Sequence, residues 1–115
     1  MALYEKTIRG NFNEIVDRLD KAILNSGMSM NFVDGSSYSA DDFQLVVRVY
    51  DKYFARIGSR ASLSLAVAGH GADVLITAIG AGGGKGIIYN SSWGAEEELV
   101  SIVQQSIRNM DQSSF

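Results

Sequence analysis

Hydrophobic and polar positions along the chain change period several times, and each change marks a predicted element. The longest apolar-rich run spans Phe43 to Ile57; Gly58-Ser59 follows, then a second run from Arg60 to Ala68. Two stretches rich in Val, Leu, Tyr and Phe joined across Gly-Ser predict a long β-hairpin. Leu3 to Arg9 alternates loosely and predicts a first strand, broken at Gly10. Phe12, Ile15, Val16, Leu19, Ala22 and Ile23 then recur at helical spacing, with Asp17, Arg18, Asp20 and Lys21 mostly off that face. Asn11 and Glu14 have the spacing of a capping box, and Gly27 is placed to end this helix in a left-handed conformation.

Met28, Met30 and Phe32 alternate with Ser29 and Asn31, which predicts a short second strand. Asp34-Gly-Ser-Ser reads as a turn cluster and Ser36 to Asp42 as a polar connection leading into the hairpin. Beyond the hairpin, residues Gly69 to Asp73 read as a turn and Val74 to Ile79 as a strand. Gly80 to Gly86 reads as a flexible loop, and Ile87-Ile88-Tyr89 as a short edge strand. Ser91 or Ser92 opens the last helix. Its first turns hold Glu96, Glu97 and Glu98, where negative charge complements the helix N-terminus. Leu99, Val100, Val103, Ile107 and Met110 form its apolar stripe, Trp93 staples its start, and Asp111 to Phe115 is expected to fray.

Strands joined by short turns pair antiparallel, and two one-sided helices bury their stripes by sharing one face of the sheet. The expectation is a two-layer α+β sandwich: an antiparallel sheet of about five or six strands with two helices on one face, in one domain over residues 1–110. In topology it resembles the half-repeat of the TATA-binding protein, a likeness of fold that transfers no function.

Composition alters this picture little. With 46% hydrophobic and 20% charged residues in 115, the chain suits a globular domain with a core of its own. Without cysteine it has neither disulfides nor thiolate metal ligands, which fits the cytoplasm. No apolar run approaches a membrane span and no signal peptide is expected. A net charge of −3 gives no overall attraction to nucleic acid or anionic lipid.

The arrangement leaves one sheet face uncovered, and the hairpin decides what it carries. Odd positions of the long strand (Phe43, Leu45, Val47, Val49, Asp51, Tyr53) read as the core face. Even positions interleave cations and aromatics as Arg48, Tyr50, Lys52, Phe54 and Arg56. A strict two-residue turn at Gly58-Ser59 puts Leu63, Leu65 and Val67 on the cationic face. A bulged three-residue loop puts them in the core, and the bulge is expected because it buries the larger residues.

Three readings fit the resulting outer face of Arg48, Tyr50, Lys52, Phe54 and Arg56. It is a solvated surface, a self-association surface giving a homodimer, or a binding site for a small anionic ligand or single-stranded nucleic acid. A non-enzymatic module that self-associates is the expected function.

Dedicated chemistry is sparse. Gly84-Lys85 lacks the spacing and the Ser/Thr of a phosphate loop, though Lys85 could approach an anion if its loop folded over the outer face. His70, the one histidine, reads as a turn residue, so neither a catalytic histidine dyad nor a metal site is expected. No cofactor is expected. Asp41-Asp42 reads as loop polarity. Asp51, on the expected core face, would need a partner such as Arg9 or Lys6.

Tyr4-Glu5-Lys6, Val47-Arg48-Val49-Tyr50 with Tyr53, Ser62-Leu63-Ser64, the glycine-rich loop and Trp93-Gly-Ala-Glu-Glu97 together resemble domain-of-unknown-function family 6054. These are small bacterial proteins of uncharacterised function. The resemblance spans the whole chain and implies a cytoplasmic bacterial protein, with no activity, ligand or site residues attached.

Overall fold

The computed structural model describes residues 1–82 and 94–113, the side chains of 112 and 113 excepted. Strand β1 (Ala2–Arg9) leads through helix α1 (Phe12–Leu24) to four consecutive strands. These are β2 (Asn31–Ala40), β3 (Phe43–Phe54), β4 (Ser59–His70) and β5 (Asp73–Gly82), and helix α2 (Ala95–Ser113) follows. The strands form one antiparallel sheet in the order β1-β5-β4-β3-β2. This is the expected β-α-β-β-β-β-α α+β sandwich. The α1 crossover carries the chain from one edge of the sheet to the other, and the three meander turns then walk it back to β1.

Both helices are set by their apolar stripes. Ile15, Leu19 and Ile23 of α1 are buried, as are Leu99, Val100, Val103, Ile107 and Met110 of α2. Asn11 caps α1, its side chain accepting from the Glu14 amide at 2.9 Å. The other end of α1 differs from expectation. Asn25 at φ −95° is its C-cap, with the amide bonded to Ile23 and Lys21 carbonyls, and Gly27 does not take a left-handed conformation. Gly80 lets α2 approach the sheet: a Cβ there would lie 2.5 Å from the Glu96 carbonyl oxygen. The helix continues past Met110 to Ser113. The expected edge strand at 87–89, the Trp93 staple, Lys85 and the helix start at Ser91 or Ser92 all lie outside the described residues.

Two strand expectations are corrected. The short strand near Met28 and the turn cluster after it are replaced by β2, which runs straight through Asp34-Gly35-Ser36-Ser37 and turns only at residues 41–42. Asp41 takes φ 53° there. Helix packing does not define this strand, because nearly all of it is exposed. It is held by its ladder to β3, so its sequence carries no alternation to read.

The larger correction concerns the hairpin. Phe54 pairs with Ser59 across a four-residue loop, 55–58, closed by Gly58 at φ 62°. No bulge interrupts the β3–β4 register, so Tyr50 lies opposite Leu63, Arg48 opposite Leu65 and Val46 opposite Val67. Leu63, Leu65 and Val67 do share the face of the cations and aromatics, and it is this face that the helices cover. Tyr50, Leu63, Leu65, Val67, Val74, Ile76 and Ala78 have no exposed surface. Each large aliphatic side chain sealed there contributes about 1.5–3 kcal/mol. The odd positions of β3 face away from the helices.

Candidate functional site

The five residues expected on an open surface sit under and beside the helices, in two clusters. In the first, the Tyr50 hydroxyl donates to Asp20 Oδ1 of α1 at 2.6 Å and accepts from Arg48 Nε at 2.9 Å. Arg48 also reaches Asp20 at 3.1 Å and lies over the Phe32 ring, 4.1 Å from its centroid. Burial raises the Tyr50 phenol far above its ordinary pKa, and its bond to the Asp20 carboxylate adds to this; Arg48 opposes it.

In the second cluster, Phe54 is buried with Lys52 and Arg56 on either side, each 5.0 Å from the ring centroid. Both cations converge on Glu98 of α2, at 3.5 and 3.0 Å. Arg48, Lys52 and Arg56 thus cover the aromatic rings with their stems and guanidinium or ammonium groups, and meet helix acids with their charges. The set joins helix to sheet.

Among the described residues no element covers the opposite face. Its central strand, β4, contributes a row of small side chains: Ser62, Ser64, Ala66 and Ala68. Register places Val49, Val47 and Leu45 of β3 beside Ser64, Ala66 and Ala68 on one flank. On the other flank Ile79, Thr77 and Leu75 of β5 stand beside the same three residues. Two ridges therefore border a shallow trough. Leu3 of β1 extends the apolar surface next to Ile79, and Tyr38 of β2 extends it next to Leu45. Leu3, Tyr38 and Leu75 are among the exposed large side chains of the molecule.

Ion pairs on this face sit at its ends, while two carboxylates lie along its outer strands: Glu5 of β1, which accepts from Thr77 Oγ1 at 2.7 Å, and Asp34 of β2 beside Val49. Asp51, expected to face the core, lies here and accepts two bonds from Arg60, at 3.1 and 2.8 Å. That guanidinium holds the Asp51 carboxyl below its ordinary pKa. Arg9 meets Asp73 at 3.2 Å at the far end. His70, at the end of β4 and not within a turn, has Nε2 3.4 Å from Asp42 Oδ2. Among the described residues no group of three or more His, Cys, Asp or Glu side chains could hold a metal ion. No described helix is long and apolar enough to cross a membrane.

Sequence reasoning recognised Leu45, Val47 and Val49 as a buried set and assigned them to the wrong layer. Both faces of β3 carry large apolar residues, so alternation alone does not choose between them. The available signal lay on the helices. Asp20 and Glu98 flank the two apolar stripes, where they would meet sheet cations, and only the even face of β3 carries cations. No curated protein matches the chain. A family model matches residues 1–111, and the chain belongs to the family it describes, the family of unknown function DUF6054.

Proposed function

We propose that this protein is a non-enzymatic interaction module that associates with a second copy of itself through the open sheet face. The observation that carries the reading is the character of that face: a trough of small side chains between two largely apolar ridges, with Arg9 and Arg60 at its ends each matched to an acid. Contiguous apolar surface of this kind marks an interaction site. Five strands spaced by about 4.8 Å, with about eight residues each, give a projected face on the order of 600 Å². Side-chain relief adds to that, bringing it towards the roughly 800 Å² per partner of a standard interface.

The face suits another copy of itself. A two-fold axis through it sets the β3 ridge of each copy against the β4 trough of the other, with sheets about 10 Å apart. An anionic ligand or nucleic acid is less well served, because Arg48, Lys52 and Arg56 already meet carboxylates of α1 and α2. A bacterial, cytoplasmic setting is part of the proposal and rests on the sequence resemblance.

Val47→Glu tests the reading by placing a carboxylate on the β3 ridge. The expected result is a folded protein with half the wild-type mass by light scattering coupled to size exclusion. Wild-type mass in a folded Val47→Glu variant would refute the face as an interface.

A further inference from the structure

The two edges of the sheet are built differently. β1 carries Glu5, Lys6 and Arg9 among its eight residues, and α2 packs close to it. Such charges discourage strand-to-strand association. β2 is exposed on both faces along nearly its whole length, and its one strand partner among the described residues is β3. A bulge between Phe32 and Asp34 protects only its first part. From Asp34 to Ala40 it runs in unbroken register with β3, without proline, lysine or arginine, and with Asp34 as its only charge. The outward amides and carbonyls of that stretch have no partner strand among the described residues; the Gly35 amide donates to the Asp34 carboxylate at 2.8 Å, a bond that a second strand would have to displace if that amide is to join the ladder.

We propose that residues 34–40 of β2 pair antiparallel with the same stretch of a second copy, across a two-fold axis at Ser37, joining two sheets edge to edge. Ser37 is the midpoint of the unbulged stretch, so this register uses all of it. Ser36 then faces Tyr38 of the other copy, Gly35 faces Ser39 and Asp34 faces Ala40, each pair on the same side of the joined sheet. The two Asp34 carboxylates end up about 20 Å apart along the strands, so acid never opposes acid. The two Tyr38 rings become diagonal neighbours on the open face, within reach of each other. The small Ser36, Ser37, Ser39 and Ala40 side chains leave room for close approach on both faces.

Ser37 lies opposite Val46, on the helix side of the sheet, so changing it leaves the open face intact. Ser37→Lys and Ser37→Glu each set like charges directly opposite at the axis. Each variant alone should have half the wild-type mass by light scattering, with unchanged circular dichroism. An equimolar mixture of the two, which opposes ammonium to carboxylate, should restore the wild-type mass. In wild-type protein the alternate amides within residues 35–39 that point away from β3 should exchange with solvent more slowly as concentration rises.

Wild-type mass in both single variants would overturn the proposal, as would exchange at those outward-pointing amides that ignores concentration. Either result would also leave this edge to an extended peptide of another protein. These outcomes are separate from that of Val47→Glu. If only the face association fails, the wild type is an edge-joined dimer and the Ser37 variants are monomers. If only the edge fails, the Ser37 variants keep the wild-type mass.

Discussion

Tyr50 has its ring in the core and its hydroxyl in a charged cluster, and it ties α1 to β3. Removing that hydroxyl leaves the Arg48–Asp20 pair in place but deletes one bond to a carboxylate and one from a guanidinium. Tyr50→Phe should therefore cost about 1–2 kcal/mol in denaturant unfolding at neutral pH. The same residue sets an alkaline limit. Its folded pKa lies above the unfolded value of about 10, so its contribution is complete below that value. The contribution is then lost as pH rises through the folded pKa. Stability of Tyr50→Phe should fall less steeply above about pH 10 than that of the wild type. Tyr50 was visible in the sequence as one of an aromatic and cationic set. Its burial was not, because an arginine and a lysine on the same strand face read as a solvated surface until their partners on the helices are known.

Among the elements, the helices were the most legible: the α2 stripe is buried throughout, and in α1 Ile15, Leu19 and Ile23 are buried with Phe12 and Val16 packed beside them. Gly80 shows what such a stripe does not reveal. Its missing side chain is the space into which the first turn of α2 settles. Gly80→Ala would press a methyl group against the Glu96 backbone, and since backbone yields less readily than a side-chain tip, the expected loss is about 1–3 kcal/mol by thermal or chemical unfolding. β2 was the least legible element. Its Asp-Gly-Ser-Ser run has the composition of a turn, and only pairing with β3 makes it a strand. The same poverty of side chains gives it an edge that a second strand can approach. Alternation located β3 and β4 but did not orient them, because the choice of face depended on the length of a loop at residues 55–58 and on acids far away in sequence.

At the scale of the molecule, a five-stranded sheet with both helices on one side has one layer fewer than it has apolar faces. The helices satisfy the even face of β3. The odd face, with Leu45, Val47 and Val49 beside the small row of β4, has no covering element among the described residues. Assembly with a second copy supplies that missing layer, and the matched charges at Arg9–Asp73 and Arg60–Asp51 frame the contact without pulling it toward an anion. The most direct test is the mass of the unmodified protein by light scattering across a wide concentration range. The account predicts a species of at least twice the 12.4 kDa of one chain, persisting on dilution into the micromolar range. A mass of 12.4 kDa at every concentration would contradict it.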